Sequence, residues 1–294
     1  MHDAHSQLGP DASGREGSLV VVATPLGNLG DLSSRALAVL AEADVVFCED
    51  TRRSRTLFAA HGLHPRARLR SLHQHNEAAQ CEEVVARVRA GQTIALVSDA
   101  GTPGISDPGE RVVAAVAAAG LRVSTAPGPS AVVAALSISG LASERFVMEG
   151  FVPRRASERV ARLEEWDRET RTVVFYESPV RLVATLEQMA RRWPDRALCV
   201  VRELTKVHEE VLRGTLTEVL ASLADREVIG EVVVVLAGAA GEVAVADDRV
   251  RAALRELIDA GTSVRDAVSI VATRLGVAHR EVYRLALERR AGEW

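Results

Sequence analysis

The chain of 294 residues has little aromatic content, three cysteines and a single lysine. Cys48, Cys81 and Cys199 lie far apart and form no C-x-x-C pair, so their spacing indicates neither a zinc site nor a disulfide framework. No apolar run reaches the roughly eighteen residues that a membrane span requires, and no run near the N-terminus has the form of a signal peptide. The sequence therefore predicts a cytoplasmic protein.

The charge balance excludes one class of nucleic-acid binder. A net charge of −4 argues against a protein that coats nucleic acid indiscriminately, because that affinity comes from neutralising many phosphates. Residues 51–76 nevertheless contain six arginines, four histidines and no acidic residue. This stretch is either a phosphate-binding patch or a solvated surface, and its candidate RNA contacts are Arg52, Arg53, Arg66 and Arg68.

Lys206 stands out because every other basic side chain that is charged at neutral pH is an arginine. Such a bias is typical of a GC-rich genome, in which arginine codons displace lysine wherever the two are interchangeable. Either a need for the compact ammonium group with its tunable pKa or simple chance explains why Lys206 is retained.

The order of predicted elements indicates two α/β domains and a helical extension. Residues 1–17 are polar and unpatterned, which predicts a disordered tail. Residues 18–126 alternate short apolar strands with helices, the pattern of a parallel sheet, and Pro127-Gly128-Pro129 marks the boundary to a second α/β domain at 127–240. Residues 247–294 are predicted to be helical, either as a helix-turn-helix or as a plain helical cap.

Eight strands are predicted from apolar runs. Two of them, 197–202 and 210–214, are joined by too little chain for a crossover helix, so the second sheet should be mixed. The predicted strands are 19–23, 44–48, 93–97, 145–149, 172–176, 197–202, 210–214 and 231–237.

Four segments at predicted strand ends carry unusual residue types. The most informative is Ser98–Gly109, which packs three glycines, two prolines and two aspartates behind a buried strand. Glycine lets the backbone approach a ligand closely, so this loop is the first candidate for cofactor binding, with an ordinary βα connection as the alternative. The other three segments, which should complete one wall of a cleft, are 23–31, 48–52 and 126–131.

Seven motifs in order give the chain a family resemblance. They are A-T-P-L-G-N-L-G-D, C-E-D-T-R, S-L-H-Q-H-N-E, S-D-A-G-T-P-G-I-S-D-P-G, P-G-P-S-A, F-Y-E-S-P-x-R and R-E-L-T-K-x-H-E-E. In this order the chain resembles the ribosomal small-subunit RNA cytidine 2′-O-methyltransferases of the tetrapyrrole methylase superfamily, over residues 19 to about 290. Porphyrin-precursor methylases share only the outline, since they have G-x-G-P-G-D and G-G-D-P where this chain has A-T-P-L-G-N and A-G-T-P.

The resemblance implies a homodimer of two-domain chains that holds S-adenosylmethionine folded in the interdomain cleft, without a metal. It also implies that the substrate is 16S ribosomal RNA or the small subunit, modified on a cytidine ribose in the decoding region. Backbone groups and small side chains suit such a cofactor, and Gly101 is the position where the main chain should come closest to it. The implied cofactor contacts are Pro25, Leu26, Gly27, Gly101, Thr102, Pro103, Ile105, Ser106, Ser130, Ala131 and Tyr176.

Methyl transfer to a ribose hydroxyl needs a base for the proton or a cation for the forming alkoxide. Lys206 with Glu203 is the favoured catalytic pair, and Asp50 with Arg52 is expected to bind or orient the substrate. Glu177 and His75 are further candidates, while a surface ion pair is the alternative role for each of these residues. Two other functions stay open, a methylase of small tetrapyrroles and a non-catalytic RNA-binding assembly factor.

Overall fold

Two five-stranded sheets with flanking helices and a separate helical bundle make up the chain in the computed structural model. The structure describes residues 16–63, 68–224, 226–239, 243–275, 277 and 279–290. Among these residues, no helix is long and apolar enough to cross a membrane. The predicted N-terminal tail lies outside this part of the chain, except for Glu16, which pairs with Arg122 at 3.7 Å, and Gly17.

The first sheet is entirely parallel and has the strand order β3-β2-β4-β1-β5. Its strands are β1 (Ser18–Val22), β2 (Val45–Cys48), β3 (Arg68–Ser71), β4 (Thr93–Val97) and β5 (Arg122–Ala126). The helices are α1 (Ser34–Glu42), α2 (Thr51–Ala60), α3 (Glu77–Arg89) and α4 (Glu110–Ala118), with a 3-10 turn at Leu29–Asp31. Each face of the sheet has its own apolar core, with Val46 and Leu40 on one side and Phe47 and Leu96 on the other.

The second sheet is mixed and has the order β6-β7-β10-β8-β9. Among neighbouring strands only the β6–β7 pair is parallel, and the directly connected pair β8–β9 is antiparallel as predicted. Its strands are β6 (Phe146–Phe151), β7 (Thr172–Glu177), β8 (Ala197–Arg202), β9 (Glu210–Thr215) and β10 (Val232–Leu236). The helices are α5 (Ala131–Ser139), α6 (Ala156–Trp166), α7 (Pro179–Arg192) and α8 (Leu216–Ser222).

The apolar core of the second sheet also has two sides. One side centres on Trp166, whose ring lies 5.0 Å from that of Phe175, and the other packs α5 against the sheet. The central strand β10 is buried at every position, as expected for an unbroken apolar run. The sheet is therefore a rigid base for the segments that follow its strands.

Three helices form a bundle with its own core at the C-terminal end. They are α9 (Val243–Asp259), α10 (Val264–Leu275) and α11 (His279–Arg290). Leu254, Val268 and Leu285 are fully buried between them. The hydroxyl of Ser263 caps α10 by accepting the N–H of Asp266 at 3.1 Å.

The eight predicted strands are all present, but the structure adds β3 and β5, which the sequence analysis missed. Both are edge strands of the first sheet. Arg68, Ser71, Arg122 and Ser124 are exposed on them, so neither strand shows the apolar run that marks a central strand. The predicted three-stranded parallel sheet is therefore five strands wide.

Candidate active site

The four unusual segments do come together. The strands β1, β2, β4 and β5 are neighbours in a parallel sheet, so the loops that follow them leave from the same edge. Three of them, 23–31, 98–109 and 126–131, line a cleft whose other wall comes from the second sheet, whereas 48–52 leaves from the same edge without lining it. A cleft is therefore present at the predicted edge, with three of the four segments in its wall.

Backbone hydrogen bonds tie three of these loops together. Thr24 and Gly101 form an isolated antiparallel bridge, in which each N–H donates to the other residue's carbonyl at 2.8 and 3.0 Å. The Thr24 hydroxyl donates to the Ser98 carbonyl at 3.1 Å, and the Thr102 hydroxyl donates to the Pro129 carbonyl at 3.0 Å. The loops after β1, β4 and β5 therefore form one hydrogen-bonded unit.

The loop Ser98–Gly109 needs its unusual residue types. Gly101 and Gly104 have φ angles of +79° and +81°, in the left-handed region that glycine tolerates best. Ser106 also lies there, with φ +63°, although it has a side chain. The end of the loop is held by buried Glu77, whose Oε1 accepts the N–H groups of Gly109 and Arg111, both at 2.9 Å.

A cavity of about 260 Å³ lies between this loop unit and the second sheet. From the second sheet it is lined by Phe151, by Tyr176–Pro179 and by Gly230–Val233. Of the predicted cofactor contacts, the cavity wall includes Leu26, Gly101, Thr102, Ile105, Ser106, Ser130, Ala131 and Tyr176.

A second cavity of about 270 Å³ adjoins the first at the ends of β1 and β4. Leu26 lines both cavities, and Pro25, Gly27, Arg53 and Asp99 line only the second. Pro103, the remaining predicted cofactor contact, is buried within its loop. The predicted contacts thus gather at the cleft, but they divide between two neighbouring spaces.

Glycine allows close approach at two points, to the cavity at Gly101 and to the Lys206 side chain at Gly27. A Cβ on Gly101 would lie 3.3 Å from Leu26 Cδ2, which is tighter than most such contacts, at the wall of the first cavity. A Cβ on Gly27 would overlap the side chain of Lys206. The backbone therefore sets the shape of the cleft. Such a cleft suits a bulky cofactor that is held by backbone groups and small side chains.

Lys206 lies at the junction of the two halves, packed over Gly27. Its Nζ donates to Glu203 at 2.8 Å and to Glu231 at 3.1 Å. Burial lowers the pKa of Lys206, but the hydrogen bonds with the two carboxylates outweigh it and hold the pKa above its ordinary value. The hydrogen bond from Lys206 holds the pKa of Glu203 below its usual range. At neutral pH the pair is therefore a lysine cation and a carboxylate.

The backbone around Lys206 is strained. Glu203 and Thr205 have φ angles of +51° and +66°, so three non-glycine residues with positive φ, these two and Ser106, lie in the two loops beside the cleft. The Thr205 hydroxyl accepts the N–H of Asn28 at 3.2 Å, which links the Lys206 loop to the loop after β1. Such strain persists only where surrounding contacts fix the backbone, and it concentrates at functional sites.

Asp50 and Glu177 are held by local contacts. Asp50 caps α2 by accepting the N–H of Arg52 at 2.7 Å, and its own N–H donates to Asp99 Oδ1 at 3.0 Å. Glu177 is fully buried, and both of its carboxylate oxygens accept hydrogen bonds, from the Ser178 N–H at 2.7 Å and from the Thr185 hydroxyl at 2.8 Å. His75 is exposed.

Asp107 is a cleft residue that the sequence analysis did not select. It lines the first cavity, where burial, followed by the negative charge of Glu49, raises its pKa to about 6. Burial and then the charge of Asp107 raise the pKa of Tyr176 to about 12. An acidic residue inside a glycine- and proline-rich loop was the available signal for Asp107, whereas no motif marked Phe151 or Glu231.

Comparison with known proteins identifies the fold. The model of the tetrapyrrole (corrin/porphyrin) methylases matches residues 18–220. The chain belongs to the tetrapyrrole methylase family. Ribosomal RNA small subunit methyltransferase I of Mycobacterium tuberculosis (strain CDC 1551 / Oshkosh) is 46% identical over 93% of this chain and 96% of its own length.

More distant relatives agree with this assignment. The protein of the same name from Synechocystis sp. (strain ATCC 27184 / PCC 6803 / Kazusa) is 41% identical over 92% of this chain and 98% of its own length. A crystal structure of diphthine synthase superposes with a TM-score of 0.59 at 18% identity, over 75% of this chain and 89% of that one, which supports the fold alone.

Residues 51–76 of this tetrapyrrole methylase contain no acidic residue, but acidic side chains from elsewhere in the chain pair with some of their arginines. Arg70 pairs with Glu83 of α3 at 2.6 Å, and Arg53 pairs with Asp99 at 3.4 Å. The Arg52 side chain is 89% exposed, Arg68 is also exposed, and Arg66 lies outside the described residues. Arg52, Arg53 and Arg68 are thus open to solvent on the side of the first sheet.

Proposed function

We propose that this tetrapyrrole methylase transfers the methyl group of S-adenosylmethionine to the 2′-oxygen of a cytidine in the 16S RNA of the small ribosomal subunit. One observation carries the proposal. Four of the seven motifs that the chain shares with the small-subunit RNA methyltransferases line the cavities of the cleft, and the relatives at 46% and 41% identity bear that name. The decoding region as the target rests on the same resemblance.

The cleft residues fit the cofactor. S-adenosylmethionine supplies an electrophilic methyl group when it is bound. The backbone at Gly101 and Thr102, the N-terminal end of α5 at Ser130 and Ala131, and the ring of Tyr176 would hold it from three sides. Leu26 would contact it from the floor, at the wall that the two cavities share.

Lys206 would then act as a cation rather than as a base. Its raised pKa keeps it protonated at neutral pH, and Glu203 and Glu231 fix its position beside the second cavity. A fixed ammonium group stabilises the negative charge that develops on an attacking oxygen. Orientation of the hydroxyl contributes further, since a well-placed pair of reactants can lower the barrier by about 7–11 kcal/mol.

Asp50 and Glu177 would act through other groups. Asp50 fixes the start of α2, and with it Arg52 and Arg53, which would contact RNA phosphates together with Arg66 and Arg68. Glu177 would position the segment from Tyr176 to Pro179 in the cavity wall.

A homodimer, which the resemblance implies, would place two such sites in one particle. Light scattering of the purified protein would measure the mass of that particle.

Methyl transfer from radiolabelled S-adenosylmethionine tests the proposal. The purified protein is incubated with small ribosomal subunits, with naked 16S RNA and with tetrapyrrole precursors, and the label is followed. We expect label in RNA alone, on a cytidine ribose. Label in a tetrapyrrole would instead indicate a small-molecule methylase, and tight RNA binding without label would indicate an assembly factor.

A further inference from the structure

Asp107 brings a carboxylate into the first cavity from the side of the first sheet. Tyr176 and Glu231 line the same cavity from the second sheet, and Glu231 in turn holds the ammonium group of Lys206 at 3.1 Å. The first sheet thus brings a carboxylate to the cavity, and the second sheet brings Glu231, the partner of the Lys206 cation, to the opposite wall.

The backbone holds Asp107 in a defined position. Ser106, directly before it, adopts a strained φ of +63°. The Gly104 N–H closes the turn by donating to the Pro108 carbonyl at 3.2 Å, and Glu77 fixes Gly109 just beyond it. A strained residue between two such anchors is held there by its surroundings, which is how preorganised sites are built.

The groups that face Asp107 are mostly acidic. Glu49 at the end of β2, Asp99 after β4 and Glu231 before β10 are negatively charged neighbours, while the Ser98 hydroxyl is within hydrogen-bonding reach. The desolvation and these charges together set the pKa of Asp107 at about 6. Such a carboxyl is ionised at neutral pH and takes up a proton more readily than an ordinary aspartate.

The three carboxylates selected from the sequence are already engaged by other groups. Both oxygens of Glu177 accept hydrogen bonds from its own segment and from α7. Glu203 accepts hydrogen bonds from Lys206 and from the Glu231 N–H, and its pKa is lowered. Asp50 is committed to capping α2.

We infer that Asp107 is the general base of the reaction, the group that takes the proton from the attacking hydroxyl. The inference rests on the proposed function and adds the proton acceptor to it. The 2′-O–H bond breaks and its proton goes to Asp107, while the oxygen forms its bond to the methyl carbon. The electron pair of the broken carbon–sulfur bond stays on sulfur, and Asp107 later releases the proton to water. Lys206 on the opposite wall offsets the negative charge on the oxygen during the transfer.

Single-turnover methyl transfer to small subunits between pH 5.5 and 8.5 tests the inference. The parent rate should rise with pH through an apparent pKa near 6 and then level off. Asp107→Asn keeps the size of the side chain but removes the base, so we expect a rate loss of about 100-fold or more at pH 7.5. The rate of this variant should no longer fall as the pH is lowered toward 5.5. Calorimetry should show S-adenosylmethionine affinity within a few-fold of the parent.

Glu49→Gln provides the matched control. It removes one of the charges that raise the pKa of Asp107 without touching the cavity wall. The pH at which the rate reaches half of its plateau should decrease, and the plateau rate should stay the same. A parental rate and pH profile in Asp107→Asn, or a loss of cofactor binding that accounts for its rate, would overturn the inference and leave the proposed function standing. A parent protein that labels no RNA would overturn the proposed function itself.

Discussion

The two walls of the cleft are built in different ways. The wall from the first sheet consists of loop backbone, with glycines at positive φ and N–H and carbonyl groups paired across loops. The wall from the second sheet includes the charged side chain of Glu231, which together with Glu203 holds the ammonium group of Lys206. A backbone wall fixes a shape and depends little on pH, whereas a side-chain wall supplies charge. We therefore expect substitutions of the loop glycines in the first wall to affect binding. Substitutions of the charged side chains, Lys206 and also Asp107 of the first wall, should affect rate.

The largest effect should come from adding a side chain to the backbone wall. Gly101→Val places a branched side chain at φ +79° and against Leu26, so it should strain the loop and fill the cleft. We expect S-adenosylmethionine affinity to fall by at least about 100-fold, measured by calorimetry.

Gly120→Val separates strain from the loss of space. Gly120 has φ +68° at the end of α4, with nothing within 4 Å of an added Cβ. Both variants should lose about 1–3 kcal/mol of stability, but only Gly101→Val should lose the cofactor. Equal affinity in the two variants would show that the first wall does not contact the cofactor.

The side-chain wall is tested by Lys206→Arg. The larger, planar guanidinium keeps the charge but cannot occupy the space over Gly27 in the same way. We expect the single-turnover rate at saturating RNA to fall by about tenfold to a hundredfold, with cofactor affinity nearly unchanged. The converse exchange nearby, Arg202→Lys, alters an ion pair with Glu210 and should leave the rate intact. If Lys206→Arg is as fast as the parent, Lys206 has a structural role.

A smaller effect concerns the stability cost of the charge in the cleft. The pKa of Asp107 is raised in the folded state, so the unfolded chain ionises at lower pH and the folded protein loses stability as pH rises from about 4 to about 6. Asp107→Asn removes this cost and should raise the free energy of unfolding at pH 7.5 by at most about 3 kcal/mol. Denaturant unfolding should show the gain shrinking below pH 5 and vanishing below about pH 4. An Asp107→Asn variant that is less stable than the parent at pH 7.5 would contradict this expectation.

The smallest expected effect lies outside both walls. If Arg68 contacts a phosphate, Arg68→Gln should weaken RNA binding broadly and reduce its salt slope by about one, without changing cofactor affinity. Arg89 is exposed at the end of α3 that leads into β4, away from the cleft. Arg89→Gln should leave the salt slope unchanged. Identical slopes for the two variants would show that Arg68 is a solvated surface residue that contacts no phosphate.

The sequence was informative where burial or backbone geometry leaves a residue pattern. Apolar runs marked central strands such as β4 and β10, and the glycines and prolines of Ser98–Gly109 marked the loop beside the cleft. The edge strands β3 and β5 were missed because one-sided pairing does not demand apolar residues. The pairing of Arg70 with Glu83 was missed because the acid lies on the next helix.

The chemistry of the site was harder to predict than its location. Lys206, Glu203, Asp50 and Glu177 were chosen as residue types at strand ends, and their hydrogen-bond partners depend on tertiary contacts. Glu231, which pairs with Lys206, lies 25 positions further along the chain in a segment without a motif. The raised pKa of Asp107 arises from burial and from neighbours on three different strand ends, which spacing alone does not reveal.

The bridge between Thr24 and Gly101 has a consequence for the thermodynamics of binding. Its reciprocal hydrogen bonds order two loops that would otherwise have to lose conformational entropy when the cofactor arrives. Because that entropy is already lost on folding, the free protein should resemble the bound one at the cleft floor. In amide hydrogen exchange, the N–H groups of Thr24 and Gly101 should be as protected without cofactor as with it, in contrast to the exposed tip at Ile105.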